Sequence, residues 1–169
     1  MTIDHNWFLA INGLAGHSAI LDRLGIFFAD PFLYLSVILV ALFWLNKKYR
    51  YYVYIAAASV VIGRRILAEI IKHLVHRPRP FQVLNVHQLL VDNEAGNSFP
   101  SGHAIVYFAL AFSFYGTKWF WPMVILAAIG STARVFVGVH YPLDVLAGAA
   151  LGGLVVWVLR SLFKKPQLR

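Results

Sequence analysis

The chain contains no cysteine, which excludes a disulfide framework and any thiolate-held metal centre. Charge is scarce too: 15 Lys and Arg with 7 Asp and Glu make up only 13% of the 169 residues. Soluble domains carry about 25%, so a water-soluble globule of this length is a poor fit. The few acids are scattered and nowhere form the carboxylate cluster that a magnesium site needs. A metal-independent chemistry with no cofactor is therefore expected. The opening residues 1–6 lack the basic stretch of a cleaved signal peptide, so the apolar segments are expected to be retained. Neither an internal repeat nor a linker interrupts the chain, which leaves one domain over 1–169.

What is abundant is apolar: 60% of the residues are hydrophobic and the mean hydropathy is +0.68. At roughly 20 residues per span, the fold class expected is all-α, an integral membrane helical bundle of about five transmembrane helices. The runs are 25–45, 51–74, 104–116, 119–139 and 143–163. The first is expected to bend or restart at Asp30-Pro31, where Asp caps and Pro opens a helix. Ahead of them, Trp7, Phe8, Ile11 and Leu14 recur at helical spacing over 5–14, which suggests an N-terminal interfacial helix. The longest non-helical stretch is 81–99, holding Asp92, Asn93, Glu94 and Asn97. A loop of that length in a compact protein is usually functional or mobile.

The net charge of +8 does not mark a nucleic-acid partner, because the cations flank hydrophobic runs instead of forming one basic face. Their sidedness is more informative. Lys47, Lys48, Arg50, Lys118, Arg160, Lys164, Lys165 and Arg169 fall on or near one side of a five-span bundle, with no acid among them. The other side holds Asp4, Asp22, Asp30, Asp92, Glu94 and Asp144, and its cations are Arg23, Arg77, Lys72, Arg79 and Arg134. The positive-inside rule places the first group, and the C-terminus, in the cytoplasm.

Three polar clusters then share the extracytoplasmic face. Lys72 and Arg79-Pro80 bracket the end of the second run; they read as phosphate ligands or as snorkelling anchors. Pro100-Ser101-Gly102-His103 precedes the third run. Ser101 is a natural N-cap, Gly102 lets a ligand approach the backbone, and the helix start is a ready anion site; an ordinary cap beside a surface histidine is the plainer alternative. Arg134, His140 and Asp144 flank the start of the last run, opened by Pro142. Their His–Asp spacing suits a carboxylate that fixes the imidazole tautomer for nucleophilic attack, or a structural pair.

The set is more telling than its parts. Ionisable groups at membrane depth are costly and point to function. If Lys72, Arg79 and Arg134 converged to about 6 Å, each pair would repel by roughly 3 kcal/mol at an effective dielectric of 20, so an anion is expected between them. His140 would then attack phosphorus, Asp144 orient it, and His103 protonate the leaving oxygen and later activate water. The cations and the helix start would stabilise the equatorial oxygens.

These residues resemble the type-2 phosphatidic acid phosphatase family of membrane lipid phosphatases, whose pattern is Lys-x6-Arg-Pro, Pro-Ser-Gly-His and Ser-Arg-x5-His-x3-Asp. Lys72, Arg79 and Pro80 match the first part, Pro100 to His103 the second, and Arg134, His140 and Asp144 the third. The expected serine is Ala133, which puts one minor hydroxyl contact in doubt. Ile11-Asn12-Gly13-Leu14-Ala15-Gly16-His17 and Val137-Gly138-Val139-His140-Tyr141-Pro142 are similar to the bacterial undecaprenyl-diphosphate phosphatases of the bacitracin-resistance type. The resemblance implies a lipid phosphate or diphosphate as partner. It also implies a multi-pass location in the bacterial cytoplasmic (inner) membrane, with lipid A 1-phosphatase or phosphatidylglycerophosphate or phosphatidic acid phosphatase as alternatives.

Other polar residues receive plainer readings. Arg65 and Glu69 stand four apart and are expected to pair inside the bundle, with Arg64 beside them. His73 and His76 are expected at the surface, and Trp119, Phe120 and Trp121 read as an interfacial belt. Arg77, close to Arg79, is expected to touch a second phosphate of a diphosphate. A transporter whose cations line an anion path is the competing class.

Overall fold

A computed structural model describes residues 3–91 and 96–165, and all the regular elements among them are helical. In chain order these are α1 (Ile3–Asn12), α2 (Ala19–Ala29), α3 (Pro31–Leu42), α4 (Arg50–Val60), α5 (Ala68–Leu74), α6 (Pro80–Val83), α7 (Gly102–Ser113), α8 (Phe120–Phe136) and α9 (Pro142–Leu162). Each apolar run expected to be helical is so, with ends shifted by a few residues. Among the described residues, Pro142–Leu162 is the one helix long and apolar enough to cross a membrane, and Ala19–Ala29 with Pro31–Leu45 qualifies as a pair bent by 47°. Asp92, Asn93, Glu94 and Arg169, named above, lie outside the described residues.

The central element is α7, buried along most of its length and packed against α9, α8, α4 and α3. Its closeness to α9 depends on Gly148. A Cβ there would stand 2.5 Å from the Ser101 carbonyl oxygen, which belongs to backbone and cannot swing aside. The start of α7 is thereby pressed against the first turns of α9. Gly148→Val should force the two apart and cost about 1–3 kcal/mol, as overpacking does. Thermal unfolding in detergent measures this, and an unchanged midpoint would mean that α9 can step back.

Three local departures from the sequence expectations have physical causes. The long helix from Arg50 to Leu74 passes through a π-helical turn, Val61–Leu67. A π turn bonds i to i+5 and brings residues five apart onto one face. Glu69 therefore pairs with Arg64, Nη1 to Oε1 at 2.8 Å, and not with Arg65. At the α2–α3 break Asp30 makes no side-chain capping bond, although Pro31 opens α3 as expected. Its carboxylate turns to His103 instead. Within 81–99, the start forms part of a single helical turn, α6.

The helix α1 forms where expected, and the face it turns inward is mixed in character. Trp7 and Leu14 are exposed, while Asp4, Phe8 and Asn12, at four-residue spacing, are buried. The polar members of that face bond to backbone elsewhere: Asn12 donates to the His87 and Phe136 carbonyls and accepts from the His87 N–H. Backbone groups buried away from water need such partners. Of the aromatic triplet, Trp121 faces outward, Phe120 is buried, and Trp119 packs against Phe43 and reaches the Tyr49 hydroxyl.

The two ends of the bundle differ in charge. Arg160 donates to the Tyr115 carbonyl, Lys165 to the Tyr52 hydroxyl, and Tyr51 to the Phe163 carbonyl, so the basic turns of the first group meet at one end. An apolar groove of about 720 Å³ runs between α3, α7 and α8, from Phe32 and Tyr107 to Lys118 and Trp119 at that end. Large apolar side chains such as Leu146, Leu154, Trp157, Ile125 and Trp121 stay exposed on the flanks.

Candidate active site

The opposite end gathers polar side chains that the interior fully or partly encloses. Pro142 opens α9, and the Asp144 carboxylate caps it by accepting the Tyr141 N–H at 2.9 Å. That cap aims the other carboxylate oxygen outward, where Arg77 Nη1 meets it at 2.6 Å. Asp144 is fully buried and His140 nearly so. The His140 Nδ1 stands 3.6 Å from Asp144 Oδ2, longer than a hydrogen bond but on the side that leaves Nε2 facing away. Catalytic contacts are often long before substrate arrives.

Arg77, expected from the sequence to touch a second phosphate, meets two carboxylates. Its guanidinium bridges Asp144 and the buried Asp4, whose other oxygen accepts the Leu143 N–H at 3.0 Å. It also lies 4.2 Å over the Tyr141 ring, a cation–π stack. Burial raises the Tyr141 phenol above its usual pKa, against the pull of Arg77. Arg77 is thus occupied behind the His140–Asp144 pair. Its proximity to Arg79 in sequence carried no sign of this, because both of its acidic partners are remote.

Arg79 is fully buried, and its side chain donates to the Gly96 and Val139 carbonyls, the latter immediately before His140. Arg134, also buried, donates to the Ala29 carbonyl at the end of α2. Ser101 caps α7, its hydroxyl accepting the Ala104 N–H at 3.5 Å, and its own N–H donates to the Asp144 carbonyl at 3.0 Å. The starts of α7 and α9 are therefore tied together. His103 follows Gly102 in the first turn, with Nε2 3.3 Å from Asp30 Oδ1, and it lies within electrostatic reach of Arg134, His140, Arg64 and Arg79. Lys72 is half-buried in the last turn of α5, and its carbonyl accepts the Asn97 amide at 2.7 Å.

The structure thus brings His140, Asp144, Ser101, Gly102, His103, Arg79 and Arg134 to one place and sets Lys72 in the adjoining helix end. It adds three residues that the sequence did not place there, Asp4, Asp30 and Arg64, and it gives Arg77 two acidic partners. A lone carboxylate at a helix break or near the chain start has no spacing rule that connects it to a histidine far along the chain. Ala133, at the position of the family serine, is buried beside Ala15, Ala29 and Val137. Ser131 is buried with its hydroxyl unbonded and does not substitute for it.

Comparison with known proteins identifies the family. The PAP2 superfamily profile matches residues 48–167. The bacitracin transport permease protein BcrC of Bacillus licheniformis is 35% identical over 92% of this chain and 76% of its own length. The undecaprenyl-diphosphatase BcrC of Bacillus subtilis is 31% identical over 93% of this chain and 80% of its own. The crystal structure of Aquifex aeolicus LpxE superposes with a TM-score of 0.79, covering 94% of each chain at 24% identity. The shared all-helical fold, the ordered polar clusters and relatives named as diphosphatases lead to one assignment: the chain belongs to the PAP2 superfamily and is a hydrolase.

Proposed function

We propose that this protein is a metal-independent lipid phosphatase of the bacterial cytoplasmic membrane, with its active site at the extracytoplasmic face and its C-terminus in the cytoplasm. The observation that carries the reading is the buried His140–Asp144 pair set beside Arg79, Arg134 and the capped start of α7. In the first step the His140 Nε2–P bond forms and the bond from phosphorus to the leaving oxygen breaks. His103 gives that oxygen a proton. In the second step water, losing its proton to His103, attacks the phosphohistidine, and the N–P bond breaks to release phosphate. Lys72, Arg79, Arg134 and the N–H groups after Ser101 and Gly102 hold the phosphoryl oxygens.

No metal is needed in this scheme. Among the described residues, the carboxylates at the site are already engaged, Asp144 by Arg77 and Tyr141, Asp4 by Arg77 and Leu143, and Asp30 by His103. Activity should persist in excess chelator, whereas vanadate should inhibit by taking the phosphate place. A membrane setting is supported by the apolar flanks and by the separation of a basic end from the site end. The groove beginning at Phe32 and Tyr107 suits a hydrocarbon tail lying alongside α7.

The substrate proposed is undecaprenyl diphosphate, cleaved to undecaprenyl phosphate; likeness to the Bacillus subtilis undecaprenyl-diphosphatase supports it. The test is phosphate release from undecaprenyl diphosphate, lipid A, phosphatidylglycerophosphate and phosphatidic acid in matched detergent. The diphosphate should have the highest kcat/KM. Equal rates on all four would remove the substrate assignment while leaving the phosphatase.

A further inference from the structure

We infer that Arg64 is a specificity residue that receives the charge on the lipid phosphate when the substrate is a diphosphate; this rests on the phosphohistidine reading above. The π turn, Val61–Leu67, is what turns Arg64 to its place. Single π turns inside α-helices occur often at functional sites. The side chain lies across the first residue of α7: a Cβ on Gly102 would be 2.3 Å from Arg64 Nε and 2.8 Å from its Cζ. Glycine is thus the residue that lets the guanidinium reach the start of α7. A cation beside a helix N-terminus opposes the helix dipole, and Arg79 and Arg134 add their charge nearby. An anion brought between them relieves all of these repulsions.

The position also selects which anion. In an in-line transfer the attacking and leaving atoms stand on opposite sides of phosphorus. His140, Asp144 and Arg77 form the attacking side; His103 marks the leaving side, and Arg64 lies against Gly102, the residue before His103. For a monoester the leaving group is an alcohol, which one proton from His103 satisfies. For a diphosphate, the bond from the terminal phosphorus to the bridging oxygen breaks, and the electron pair stays on the lipid phosphate. That group departs with extra negative charge, and Arg64 is the cation next to it. Glu69 bonds to Nη1. The Glu69 side chain is 47% exposed, so the pair is a weak competitor.

The experiment compares farnesyl diphosphate with farnesyl monophosphate, which share a tail and differ in leaving group. In Arg64→Gln, kcat/KM for the diphosphate should fall roughly 10²-fold, the scale of one lost charge-stabilising donor, with the monophosphate changed less than about threefold. Arg64→Lys should restore part of the diphosphate preference. If Arg64→Gln does not fold, Glu69→Gln decides: releasing Arg64 from its partner should keep or raise the preference for diphosphate. Equal losses on both substrates, in either variant, would overturn the assignment and leave only a structural ion pair. A wild-type protein that hydrolyses neither lipid would overturn the hydrolase reading along with it.

Discussion

Replacing His140 with asparagine should lower phosphate release by at least about 10⁴-fold, as loss of a nucleophile does in enzymes working through a covalent intermediate. Asparagine keeps the size and a polar tip but has no ring nitrogen to carry phosphorus. His140 is almost fully enclosed, so no other side chain can swing into its place. Rapid quenching of wild type with labelled substrate should trap a base-stable, acid-labile phosphoprotein that His140→Asn lacks. A variant keeping a tenth of the wild-type rate would sink the covalent route. One that still binds and moves the phosphorylated lipid with unchanged flux would argue for a transporter.

The second large effect is expected at Arg77, a positioning residue that reaches the reaction through Asp144. Arg77→Ala strands a fully buried carboxylate, and breaking one side of a buried ion pair costs about 3–5 kcal/mol. Arg77 is partly exposed, 24% by side chain, so the lower figure is the better guide. If that loss appears in the transition state, kcat falls roughly 10²-fold at 1.36 kcal/mol per decade. The KM should hardly move, because the guanidinium is held by Asp144 and Asp4. Losses should be alike for mono- and diphosphates, and Arg77→Lys should recover part of the rate. A selective loss on diphosphates would return Arg77 to the phosphate-binding role that its sequence position first suggested.

The helices were largely legible because hydropathy reports burial in lipid or protein directly, and Pro31 and Pro142 mark real helix starts. Ser101 was readable as a cap because capping chemistry is local. What failed were the pairings that depend on a change of helical register or on single carboxylates far along the chain from their partners. The i,i+4 rule pointed Glu69 to Arg65, and one π turn moved the partner to Arg64. Nor did the apolar spacing of α1 show that Asp4 and Asn12 lie inward. Their partners, Arg77, Leu143 and Phe136, are far along the chain, and no spacing within a single sequence encodes such a meeting.

That inward face of α1 bears on where the working unit begins. The superfamily match starts at residue 48, and all the motif residues lie after it. Yet Asp4 braces Arg77, Asn12 ties the end of α8 to the His87 strand of loop, and Asp30 faces His103. A fragment cut to the matched region would carry all the signature residues and lack three of the supports that hold them. Transplanting the motifs onto another helical bundle would meet the same difficulty. Any graft meant to be active needs the first three helices as well, although nothing in the shared pattern asks for them.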